Sequence, residues 1–284
     1  MSGSSFSRQL GNELSKLFAR PRTYLGFFGF GTAALAVALL LKLPMARSGV
    51  EKLLVNNGFD PVGCTGGLTA AAFTLIYTTT ILGSLYLTLV SGDLVAKEAE
   101  EGTLRMVLCR PVERGRIFLL KALTASIYTV LLVFFMGVAT LLVGTLLQGG
   151  LGKLVVFAPL EQIFGVYPPS VGLWRLLLGL AILAVASQFV SAFGLMLSCF
   201  PVRPATATVT VLSIVYLDFI LRNIPQLFAY RRYFLSYHLA CWMRAFRFDI
   251  PWEDITFSLV LLLSLGATCW IVGSAVFASR DFKN

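Results

Sequence analysis

The sequence predicts an all-α integral membrane protein with six transmembrane helices. Three observations carry this. Mean hydropathy is +0.82 and 57% of the 284 residues are apolar. Only 13% are charged, where a soluble domain has about a quarter. The charge is gathered into short stretches between long apolar runs, none long enough to be a soluble domain. Residues 1–284 therefore read as a single transmembrane domain. The formal net charge of +9 fits basic loops facing anionic lipid and gives no reason to expect nucleic acid.

Residues 1–23 are polar and basic. Phe6, Leu10, Leu14, Leu17 and Phe18 fall along one helical face, which suits an interfacial helix on the cytoplasmic leaflet. Pro21 ends it. The first span is expected over 24–43, long enough for a ~30 Å hydrocarbon core and too long for a signal-peptide core. Residues 44–66 read as a polar external loop. The second span, 67–91, carries Thr74, Tyr77, Ser84, Thr88 and Ser91 roughly on one face. Hydroxyls there suit either packing inside one subunit, a dimer interface or a cargo path.

The third span is expected over 117–147, longer than a crossing requires, so it tilts or projects. An external loop with Gly149, Gly150, Gly152, Pro168 and Pro169 leads to the fourth span, 173–200. Pro201 to Pro204 make a tight turn before the fifth, 205–224. Residues 225–254 are dense in aromatics and arginine, the composition of an external re-entrant or interfacial segment. The sixth span is expected over 255–278. Six spans put both termini on one side. The basic short segments near the first spans place that side in the cytoplasm, although Arg231, Arg232, Arg244 and Arg247 weaken the bias.

The most charged stretch runs from Asp93 to Lys121, DLVAKEAEEGTLRMVLCRPVERGRIFLLK. Between two spans it must lie in water. Leu104, Val107 and Leu108 share a helical face, Glu101 and Arg105 have the favourable i, i+4 order, and Arg110–Pro111 stops the helix. The result is a short amphipathic helix presented to the cytosol. Within it, Lys97-Glu98-x-Glu100-Glu101-Gly102-Thr103-Leu104-x-x-x-Leu108-x-Arg110-Pro111-Val112-x-Arg114 resembles the cytoplasmic loop of ABC type-2 permeases. The match covers about twenty residues. The resemblance implies a coupling helix between spans 2 and 3, docking on a separate P-loop ATPase, and an N-terminal elbow helix. It assigns coupling to Glu98, Glu100, Glu101, Gly102, Thr103, Leu104, Arg105, Leu108, Arg110, Pro111 and Arg114. It further implies a homodimer served by two ATPase subunits that hold ATP and Mg, export across a bacterial inner membrane, contact with membrane lipids, and a periplasmic or accessory partner.

The chain has no ATPase motif of its own. A P-loop needs Gly-x4-Gly-Lys-Ser/Thr, and Gly152-Lys153-Leu154 lacks the first glycine and the hydroxyl. No cofactor is expected on this chain. The cysteines Cys64, Cys109, Cys199, Cys241 and Cys269 and the single His238 have no metal-ligand spacing, so no metal site is expected, and a Cys64–Cys241 disulfide stays open. Asp218 lies inside the fifth span with Arg222 four residues on. An intramembrane pair of this kind is a gate, cargo or proton-site candidate, or a structural ion pair. No catalytic constellation shares a plausible site. The alternatives are a membrane-embedded lipid-modifying enzyme using Asp218, His238 and the arginine cluster, and an ATP-independent channel or secondary carrier.

Overall fold

The computed structural model describes residues 3–104 and 113–280. The expected docking residues Arg105, Leu108, Arg110 and Pro111 lie outside them. Among the described residues, six helices are long and apolar enough to cross a membrane, and the chain is a multi-pass membrane protein of almost wholly helical build.

Helix α1 (Gly3–Phe18) is amphipathic, with Leu17 buried and Arg8, Asn12 and Lys16 exposed. The chain turns at Arg20, and Pro21 opens α2 (Pro21–Leu40) at the position where its missing N–H is harmless. Thr23 Oγ1 donates to the Leu17 carbonyl at 2.6 Å and so caps the end of α1. Residues expected to form a polar loop instead include a helix, α3 (Pro44–Asn56), again started by proline. Its Leu54 is fully buried in a small cluster with Cys64 and Val155.

Span 2 is α4 (Gly67–Thr78), a π-helical turn at Thr79–Gly83, and α5 (Ser84–Glu100). It runs well past the expected residue 91. Span 3 is α6 (Arg114–Gln148), closed by Gly149 in the left-handed conformation. The expected external loop then holds a hairpin, β1 (Leu154–Ala158) with β2 (Ile163–Tyr167), in antiparallel register from Leu154 opposite Tyr167 to Ala158 opposite Ile163. β-Branched and aromatic residues explain the strands. Thr69 of α4 fastens them: its hydroxyl accepts the Val155 N–H at 3.0 Å.

Span 4 is α7 (Pro169–Ala186) and α8 (Gln188–Ser198), with a break at Ser187. Span 5 is α9 (Pro204–Arg222). Residues 225–251, from the stretch expected to be an external re-entrant or interfacial segment, are exposed or half-buried over Pro225–Tyr233 and mostly buried over Ser236–Phe246. They form a 3-10 turn (Pro225–Tyr233), a one-turn helix α10 (Leu235–Leu239) and a second 3-10 segment (Ala240–Phe246) whose Trp242, Arg244, Ala245 and Phe246 are buried against α7. Span 6 is α11 (Trp252–Ser279). The main core joins α4 to α8 and α11, with Leu75, Leu132, Leu176, Leu195 and Phe277 fully enclosed.

Span 2 and span 3 approach backbone to backbone at Gly67 and Gly144. A Cβ on Gly67 would sit 2.6 Å from the Thr145 backbone, and one on Gly144 would sit 2.7 Å from the Gly67 carbonyl. Such contact is how helices pack where lipid supplies no hydrophobic drive between them. Gly67→Ala is therefore expected to cost about 1–3 kcal/mol by overpacking, read as a lower midpoint of thermal unfolding in detergent. An unchanged midpoint would show that the two helices separate freely.

Candidate functional site

The charged stretch divides into an inner and an outer part. Glu98 and Asp93, on the last turns of α5, are 6% exposed, and Lys121 of α6 is 2% exposed. Lys121 Nζ donates to Glu98 Oε2 at 2.6 Å, to the Leu94 carbonyl at 3.0 Å and to Glu13 Oε2 at 3.4 Å. Three partners match the three protons of an ammonium. Arg20 reaches the other Glu98 oxygen at 3.4 Å, and Arg22 reaches Asp93 at 3.2 Å. One cluster of charge thus ties α1, the turn into α2, α5 and α6. Burial pushes the Glu13 carboxyl up, but Lys121 and Lys16 outweigh it and hold Glu13 below its ordinary value.

Glu100 and Glu101 are exposed beyond this root. Gly102 takes φ +71°, and Thr103 Oγ1 donates to the Glu98 carbonyl at 3.3 Å, capping the end of α5. Leu104 is fully buried. Glu101 stands 3.9 Å from Lys97; the Arg105 partner expected for it is outside the described residues. Arg114 donates to the Ala278 and Arg280 carbonyls at 2.7 and 3.0 Å, and Arg280 in turn to those of Cys199 and Phe200. The start of span 3 is therefore fixed to the ends of spans 6 and 4.

At the opposite end, the expected Asp218–Arg222 pair does not form. Asp218 accepts the Leu235 and Ser236 N–H groups at 2.9 and 2.6 Å, capping α10. Arg222 pairs with Glu161, at the tip of the hairpin, and donates to the Ser236 carbonyl at 2.7 Å. Two backbone N–H groups hold one carboxylate and a second carboxylate holds the guanidinium, so each charge is satisfied without the other. Arg175 donates to the carbonyls of Ala245, Arg247 and Phe248, and Arg244 to those of Tyr237 and Asp254. His238 lies between Ser258 Oγ and the Arg232 carbonyl, both at 3.0 Å. Burial, with Arg244 adding to it, lowers its basicity. These groups fasten residues 225–251. Cys64 and Cys241 do not pair; both are free thiols in separate clusters. The described residues contain no group of metal-ligating side chains.

Residues 58–283, from before span 2 through span 6, match a protein-family model. The chain belongs to the family described as protein of unknown function (DUF2705). No curated protein matches it. The DUF2705 match takes in the whole charged segment and the Glu98–Lys121 pair but stops short of α1 and α2, which supply Glu13, Arg20 and Arg22.

Sequence reasoning overlooked two residues as partners. Lys121 carried a signal, since it falls four residues inside the apolar run that begins at Ile117 and a charge there must be paired. Glu161 carried a weaker one, the lone carboxylate of the loop between spans 3 and 4. Breaking the buried pair by Lys121→Met leaves Glu98 with only the longer Arg20 contact and is expected to cost about 3 kcal/mol. Adding Glu98→Gln should recover most of the lost stability. Thermal unfolding of both variants in detergent checks this, and a double variant no more stable than the single would contradict it.

Proposed function

We propose that this chain is the membrane-spanning permease subunit of an ATP-driven ABC exporter. The observation that supports it best is the division within Asp93–Arg114. Glu100 and Glu101 face solvent at the junction of the two longest spans, while Glu98, Thr103 and Leu104 root that junction in the bundle. A force applied at the exposed acidic residues passes into spans 2 and 3, because the ion pair beneath joins the two helices directly.

On this reading two copies form a homodimer in a bacterial inner membrane, with both termini cytoplasmic. Two P-loop ATPase subunits carrying ATP and Mg dock beneath them. The segment from Glu98 to Arg114 is the coupling element. Helix α1 is the elbow helix, its apolar stripe on the cytoplasmic leaflet and its Glu13 fixed to the root of the coupling segment. ATP hydrolysis belongs to the partner, in line with a sequence that lacks a P-loop.

Pull-down of the tagged protein from native membranes in mild detergent, followed by mass spectrometry, tests this. A P-loop ATPase is expected to co-purify with the wild type and to be lost from Glu100→Arg/Glu101→Arg, whose exposed positions leave the fold intact. Absence of any ATPase even after crosslinking, or equal recovery with the variant, would overturn the reading.

A further inference from the structure

The 3-10 turn Pro225–Tyr233 ends in two adjacent arginines whose charge no carboxylate meets. The other arginines of residues 225–251 are used: Arg244 on the Tyr237 and Asp254 carbonyls, and Arg247 on that of Glu161. The side chains of Arg231 and Arg232 have no ion-pair or hydrogen-bond partner among the described residues. Arg231 instead stands over two rings, 4.7 Å from the centre of Phe228 and 6.0 Å from that of Tyr237. Such stacking orients a guanidinium and leaves its N–H groups free. Between Asp218 and Asp249 the chain has no carboxylate. Asp218 is taken up by the Leu235 and Ser236 N–H groups, and Glu161 by Arg222. The turn therefore carries positive charge that its own neighbourhood leaves unmet.

The same turn exposes large rings. Tyr233 is 86% exposed, Tyr230 60% and Phe228 48%. They lie between the end of span 5 at Arg222 and the start of span 6 at Trp252. Those two span ends set the turn at the edge of the hydrocarbon layer. Aromatic rings are favoured at that depth, and arginines there reach outward to the level of the lipid phosphates. A guanidinium fork fits a phosphate with two parallel hydrogen bonds. The missing carboxylates also select the headgroup. A zwitterionic one brings a cation that finds two guanidiniums and no anion of the protein, whereas an anionic one brings only the charge the turn lacks.

We propose that Arg231 and Arg232, with the rings of Phe228, Tyr230 and Tyr233, bind an anionic phospholipid in the leaflet at the hairpin end. The guanidiniums hold its phosphate and the rings lie against its glycerol and upper chains. The proposal stands apart from the transport reading, because it needs only that the spans cross a membrane and is measured without any ATPase.

A fluorophore on the exposed Ala229→Cys of an otherwise cysteine-free protein, in phosphatidylcholine bilayers, reads the lipid beside the turn. Dibrominated phosphatidylglycerol and dibrominated phosphatidylcholine of the same chains are titrated in turn. The anionic lipid should quench at the lower share of the bilayer, favoured by about fivefold for each arginine. High salt should shrink this excess. Arg231→Gln/Arg232→Gln should make the two curves coincide, while Arg231→Lys/Arg232→Lys, which keeps the charge, should restore most of the excess. Coincident curves in the wild type, no quenching by either lipid, or an excess unchanged by the glutamine variant would overturn the proposal. An excess abolished by millimolar inorganic phosphate at constant ionic strength would assign the arginines to a free anion and overturn it as well.

Discussion

The ammonium of Lys121 is the constraint on which the charged end of this bundle depends. A lysine at 2% exposure inside a long apolar helix is tolerable only when its charge is met and its protons are used. Glu98, the Leu94 carbonyl and Glu13 meet both conditions. To do so, α5 must extend beyond the apolar part of span 2, α1 must lie across the start of α6, and the two longest spans must keep a fixed register. The fold of this end follows from satisfying one cation.

The hairpin end is held by a different device. Arginines there use backbone carbonyls more than carboxylates, and Asp218 uses backbone N–H groups. Residues 225–251 have little regular structure, so their peptide groups have few ladder partners of their own. Planar guanidinium forks suit such scattered carbonyls. Its second half, Ser236–Phe246, packs deeply without a long helix because side chains supply the missing hydrogen bonds.

The six spans were legible in the sequence because membrane crossing demands long apolar runs, and those runs are local. The hairpin and α3 were not, since five-residue strands and a one-sided helix look like polar loop when their partners are distant in sequence; Thr69 and Leu54 find theirs only in the fold. The charged stretch was legible as a unit, but its inner and outer halves were not. Glu98 and Glu100 look alike in sequence, yet one is buried against Lys121 and the other is exposed. The Asp218–Arg222 expectation failed for the same reason. Helical spacing showed that the two could meet, but Glu161 and the α10 backbone, which compete for them, lie far along the chain.

The central proposal is that the Glu98–Lys121 root carries motion from the solvent-facing tip into spans 2 and 3. It is tested most directly by the distance between spin labels at the exposed Glu113→Cys in two copies of an otherwise cysteine-free protein, reconstituted with the ATPase proposed to dock on it. The account predicts a distance change on trapping ATP in the wild-type root and a much smaller one in Glu98→Gln/Lys121→Met, with the complex still formed. An identical change in both, or none in either, would contradict it.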